Sequence, residues 1–152
     1  MTANAKFNTN LIKKLKNFGK SNQVNIGIVE KQTHSDGIDM AFLQATHYYG
    51  VISQNIPSRD PYTIPLQDNK DKVTQDIQPF LQQAIEKFDE VSAYEGIGKQ
   101  VLENVVKESF RTGGFGKWTP LSQTTIDRKG HDIILVDKGE LFNAQSFKVV
   151  PK

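Results

Sequence analysis

The side chains in this sequence that could move a proton, hold a metal or bind an anion are 3 His, 17 Asp and Glu, and 19 Lys and Arg. His34, His47 and His131 fall in separate segments and share no close ligand spacing. A metal-hydrolase site would therefore need folding to gather His47, His131 and Asp132. There is no cysteine, which removes disulfides, thiolate metal sites and a cysteine nucleophile. No H-E-x-x-H, G-x-S-x-G, phosphate-loop or paired-carboxylate motif is present, and no Gly-Lys-Ser or Gly-Lys-Thr closes the glycine run at 113–116. The expectation is a protein that is not an enzyme and takes no cofactor or metal. Recognition chemistry remains. Arg59, in Ile56-Pro57-Ser58-Arg59, and the pair Arg128-Lys129 can make ionic contacts, while Tyr62, Phe115 and Trp118 can anchor a partner. Trp118 suits a buried structural position equally well.

These residues must be positioned by a mixture of helices and short strands. Leu11, Ile12, Leu15 and Phe18 predict an amphipathic helix over 9–19, with lysines on its other side and Gly19 as its stop. Val24, Ile26 and Ile28 alternate with Asn25, Gly27 and Val29, the period of a half-buried strand. A polar loop over 31–37 leads to a helix from Ile38, capped by Asp36, with Ile38, Ala41, Phe42, Ala45 and Tyr49 on its buried stripe and Gly50 ending it. His47 falls off that stripe and reads as exposed or hydrogen-bonded. Pro57, Pro61 and Pro65 make 51–65 an irregular loop, long enough to be a binding loop.

Val73, Ile77, Phe80, Leu81, Ala84, Ile85 and Phe88 then give a helical pattern over 66–91, favouring one long helix bent at Pro79 over two helices with the second capped by Gln78. Ser92 to Gly98 breaks the pattern, and Ile97, Val101, Leu102, Val105 and Val106 start a further helix that runs to about Phe110. Its last turn carries Lys107 and Arg111, suited to the helix dipole. The stretch 112–137 reads as an extended arm, with Phe115 and Trp118 near its glycine-rich start. Within it Ser122 caps a short helix that stops at Gly130. Asp137 is placed to cap another turn, with Glu140 three residues on as in a capping box. Ser146-Phe147-Lys148-Val149-Val150 is a last strand that can pair with 23–29. The fold class expected is α+β, a small antiparallel sheet flanked by helices with extended loops and arms.

At 152 residues the chain suits a single domain over 1–152. Its hydrophobic fraction of 37% and mean hydropathy of −0.49 imply a modest core and much surface. No apolar run reaches the length of a membrane span or a signal core, so the expectation is a cytoplasmic protein, or one assembled there. Net charge is only +2 but is unevenly distributed. Residues 1–20 hold Lys6, Lys13, Lys14, Lys16 and Lys20 and no acid, whereas residues 60–95 hold eight acids against three lysines, a local balance of −5. Opposite poles allow head-to-tail contact between copies, and the same charges also read as solvated helix faces. The lysine-rich start offers a second function, nucleic-acid binding, although no base-reading motif accompanies it.

The stretch W-x-P-L-S-x-x-T-I-x-R-K-G (Trp118 to Gly130), then L-V-D-x-G-x-L (Leu135 to Leu141), resembles the virion-morphogenesis or tail-completion proteins of Mu-like tailed bacteriophages. The strand near Val24–Val29, the Tyr48-Tyr49-Gly50 helix end and I-P-x-R at 56–59 precede it in the same order. The chain departs from that pattern where Asp60-Pro61-Tyr62 follows Arg59, and at Lys138 and Ser146-Phe147. The resemblance implies an α+β subunit of a homo-oligomer, a six-fold ring at the head-proximal end of the tail. Such a ring stops tube growth and joins the tail tube protein to the neck or connector. It also implies location in the virion, assembly in the host cytoplasm, and no membrane or specific nucleic-acid partner. The 51–65 loop and the 112–137 arm, with Arg59, Tyr62, Phe115, Trp118, Arg128 and Lys129, are the expected reach to neighbours.

Overall fold

A computed structural model describes Lys13 and residues 16–152. Most of the lysine-rich helix expected over 9–19, including Lys14, lies outside the described residues. The chain forms β1 (Asn22–Gly27), α1 (Met40–Tyr49), a 3₁₀ turn (Ile52–Gln54), α2 (Thr63–Asp68), α3 (Lys70–Lys87) and α4 (Glu90–Val101). Then follow a π-helical turn (Leu102–Lys107), α5 (Glu108–Thr112), α6 (Gln123–Lys129), α7 (Glu140–Asn143) and β2 (Ser146–Pro151). The fold is α+β. β1 and β2 pair antiparallel, with Ile26 opposite Phe147 and Gly27 opposite Ser146. The alternation of Val24, Ile26 and Ile28 is half-buried as expected. The paired segment, however, sits two residues earlier than 24–29, because it stops at Gly27, whose φ of 136° takes the backbone out of the ladder.

One face of the sheet is covered by α4, and α3 packs on α4 as a helical hairpin. The hairpin turn is Phe88, left-handed at φ 53°, followed by Asp89, whose carboxylate accepts from the Ser92 amide and hydroxyl and so caps α4. The expected break at Ser92–Gly98 is helix instead. Gly96 and Gly98 are there because rings occupy the space where a Cβ would stand. A Cβ at Gly96 would lie 2.7 Å from Phe80 Cε1, and one at Gly98 would lie 2.8 Å from Phe147 Cε2. These glycines weaken helix propensity locally, but they let a helix and a strand approach closely.

Pro79 lies inside α3 and does not divide it. The discontinuity comes earlier, at Asn69, where the Asn side chain turns back to the Pro65 carbonyl (2.8 Å) and competes with the helical ladder. Pro65 itself is tolerated in the first turn of α2, where no ladder bond is lost. Downstream, Leu102, Val105, Val106, Ser109 and Phe110 form one buried stripe. With Met40, Leu141 and Ala144, this stripe supplies most of the core, against which Ile26, Leu43, Tyr62 and Phe147 pack. Complete burial of Phe110 alone stabilises by about 1.5–3 kcal/mol.

The reading of α1 inverts on folding. α1 is capped by Asp39, which accepts from the Ala41 and Phe42 amides, and not by Asp36. Its inward residues are Met40 and Gln44, while Phe42 (68% exposed) and Tyr49 (77%) face outward. The stripe expected to be core is therefore the outer face. In α3 the expected pattern holds on one side, where Val73, Ile77 and Phe80 are half-buried and Ala84 is buried, while Leu81, Ile85 and Phe88 are 38–49% exposed. Asp137 caps nothing: Gly139, left-handed at φ 80°, starts α7. Glu140 reaches across to Ser35, accepting from its amide (2.8 Å) and hydroxyl (2.6 Å). The helix capped by Ser122 and closed at Gly130 forms as expected.

Candidate functional site

Arg59 follows Pro57 and Ser58 out of α1. Its amide donates to the His47 carbonyl (2.7 Å), and the Ser58 hydroxyl donates to the Tyr48 carbonyl (2.6 Å), so the loop folds back on the end of that helix. Gly50 allows this approach: a Cβ there would lie 2.7 Å from the Ser58 nitrogen. The next residue turns away, because the Asp60 carboxylate accepts from the amides of Tyr62 (2.7 Å), Thr63 (2.9 Å) and Ile64 (3.1 Å) at the start of α2. Arg59 and Asp60 are both buried, but they serve different elements.

The Arg59 side chain lies at the base of a cleft of about 680 Å³. The cleft is built from α1, the 54–59 loop, the 119–129 segment and the 135–141 segment. Blocks remote in the chain thus meet around one guanidinium: I-P-x-R, the Thr119-to-Lys129 part of the tryptophan block, and L-V-D-x-G-x-L. Its terminal nitrogen donates to the Thr119 carbonyl (3.2 Å), its Nε is buried with no partner, and no described carboxylate pairs with it. Burial lowers its pKa below the usual guanidinium range. Lys129 donates to the Ile133 carbonyl (2.6 Å). Its pKa is lowered by burial first, is partly restored by Asp137, and is lowered further by Arg59 and Arg128. His47 is held below the normal histidine range by burial and then by the charges of Arg59 and Lys129, and its buried Nδ1 has no partner. It is neither the exposed nor the hydrogen-bonded histidine expected.

The cleft's carboxylates lie mostly at the other end. Asp36 is near His34 Nδ1 (3.3 Å), and Glu140 bonds Ser35 and approaches His34 Nε2 (3.6 Å). Ser35 holds the Glu140 carboxyl below its ordinary pKa. The cations Arg59, Arg128 and Lys129 are therefore gathered by folding, and they suit a carboxylate or another oxyanion. Among the described residues no group of three His, Cys, Asp or Glu is placed to hold a metal ion. No helix of the described residues is long and apolar enough to cross a membrane.

The aromatic members of the expected contact set are elsewhere. Tyr62 is half-buried, and its hydroxyl donates to Gln145 Oε1 (2.7 Å), whose amide donates to Gln44 Oε1 (2.9 Å) and the Leu141 carbonyl (3.1 Å). Trp118 lies edge-on to Phe110 with ring centroids 6.0 Å apart, and over Gly114. Phe115 is half-buried in the turn after α5, where its amide donates to the Thr112 hydroxyl (3.0 Å). The start of the 112–137 stretch is thus folded against the core by its tryptophan, in contrast to the extended arm expected. Sequence reasoning missed His47 and Gln44 as inward residues of α1. Their spacing of three, with Met40 four before Gln44, was the available signal. Comparison with protein-family models, curated proteins and solved structures finds no match to this chain.

Proposed function

We propose that this chain is a structural virion subunit. It forms a tail-completion ring at the head-proximal end of a phage tail and joins the tail tube to the neck or connector. The resemblance of its ordered motif blocks supplies the identity of that assembly. The observation that carries an assembly role is the outward apolar face of α1 and the segments beside it: Phe42 and Tyr49 share one stripe of the helix, Ile38 is 41% exposed just before it, and Ile52 is 97% exposed just after it. Apolar residues at helical spacing that point away from the chain's own core have a use when a neighbour covers them. A face of this kind also explains how a chain with a lean core gains burial on assembly.

The mechanism is geometric. A subunit with unlike faces makes heterologous contacts that close under rotation. The finished ring presents a surface that fits the connector and no longer fits another layer of tube. No bond is made or broken. The test is to look for the protein in purified particles and to delete its gene. The reading expects stoichiometric incorporation, with tails of abnormal length or unattached heads in the deletion. Absence from particles together with normal assembly in the deletion ends it. Substituting Ser at Phe42 and Tyr49 is expected to leave the monomer folded and to abolish incorporation.

A further inference from the structure

Arg59 is a buried guanidinium whose donors exceed its acceptors. Its bond to the Thr119 carbonyl uses one of five N–H groups, its Nε is unmatched, and no described carboxylate reaches it. Arg128 and Lys138 are exposed at the rim of the same cleft. The same cleft has an apolar part, Leu43, Ile56, Leu121, Leu135 and Val136, and the carboxylates Asp36, Asp137 and Glu140 also line it. Such a site accepts a carboxylate carried on an apolar surface.

The chain carries a surface of that description elsewhere. Asp71, Glu86 and Glu95 are exposed on the α3–α4 hairpin and take part in no ion pair, within the stretch 60–95 whose balance is −5. Leu81 and Ile85 are exposed on the same hairpin. No residue of the hairpin lines the cleft, which is built entirely from residues 34–59 and 119–141. Meeting of the two surfaces between molecules is head-to-tail, the kind of contact that closes a ring.

We propose that the cleft around Arg59 is the socket in which a second copy of this chain docks its acidic α3–α4 hairpin, supplying the carboxylate that Arg59 lacks within its own molecule. This deepens the ring reading and rests on it. Arg59 orients the contact, while Arg128 and Lys138 steer it.

The experiment measures self-association of the purified full chain by sedimentation velocity across salt concentrations. Two charge-reversed variants are compared, R128E/K138E in the socket and D71K/E86K/E95K on the hairpin, all at exposed positions. Each alone is expected to weaken association by about tenfold or more, and an equimolar mixture is expected to restore pairing, because the unaltered socket of the hairpin variant then meets the unaltered hairpin of the socket variant. R59Q, checked for native circular dichroism, is expected to associate as weakly as the socket variant. Should R59Q fail to fold, the two exposed variants and their mixture decide the outcome. Association that is unchanged in the socket variant overturns the proposal and leaves the ring reading standing. Loss in the socket variant without loss in the hairpin variant overturns the hairpin as occupant. A wild type that stays monomeric at every salt and concentration also overturns it, and incorporation into particles then separately decides the ring.

Discussion

Replacing Gly98 by alanine sets two effects of opposite sign against each other. In an exposed helix, Gly→Ala stabilises by about 1 kcal/mol, because alanine loses less backbone entropy. At Gly98 the added Cβ would stand 2.8 Å from Phe147 Cε2 and 3.0 Å from Cγ, well inside van der Waals contact. The Phe147 ring has little freedom to retreat, since its residue is opposite Ile26 in the sheet and packs on the Met40–Phe110 core. Overpacking of this kind costs about 1–3 kcal/mol. The clash is expected to win, so G98A lowers stability by about 1 kcal/mol net. In an F147A background the clash is gone and only propensity remains, so the same substitution should stabilise by about 1 kcal/mol. The cycle therefore predicts a coupling of about 2 kcal/mol between the positions. Urea denaturation followed by circular dichroism reads this as midpoint shifts of opposite sign at constant m. An equal rise in midpoint in both backgrounds would refute the packing argument and leave the glycine unexplained.

Three further outcomes follow from the hydrogen bonds and burial. D60A removes a carboxylate that accepts three amides at the start of α2, and is expected to cost about 1–2 kcal/mol by denaturation. Y62F leaves buried Gln145 Oε1 without its donor and should cost about 1–3 kcal/mol. Because burial pushes the Tyr62 hydroxyl well above its usual pKa, that loss should persist at pH 10. His47 has a folded pKa below the unfolded 6.5, so as pH falls through 6.5 the unfolded chain takes up a proton that the folded one refuses. Stability should therefore decline from pH 7 toward pH 5.5, above the carboxylate range, and H47Q should flatten that slope. An unchanged slope in H47Q would contradict the burial of the imidazole beside Arg59 and Lys129.

Much of the local structure was legible because it depends on near neighbours. Gly50 and Gly130 end helices at the expected places, Ser122 caps α6, and the alternation around Ile26 marks a strand. The errors share one cause. Periodicity reports that a helix has an apolar stripe, but not which surface covers it, so the Phe42–Tyr49 stripe was assigned to the wrong side of α1. Glycine reports a missing Cβ, but not whether the reason is a turn or a neighbour's ring, so Ser92–Gly98 read as a break. A carboxylate at capping spacing binds whichever donor is closer, and for Glu140 that donor is Ser35, distant in the chain.

The cleft divides in the same way. Arg59, Arg128 and Lys129 stood out by type and by motif, while His47 did not, and nothing in their spacing said that they meet. Residue order was sufficient for the α+β class, for the cap and stop of several helices and for the partners of the terminal strands, since those follow from backbone preference and from period. Which apolar faces are inward, which glycines admit a ring, and which cations share one cleft follow from contacts between segments tens of residues apart. Those contacts exist only once α4, α5 and the turn between them have packed against β1, α1 and α7.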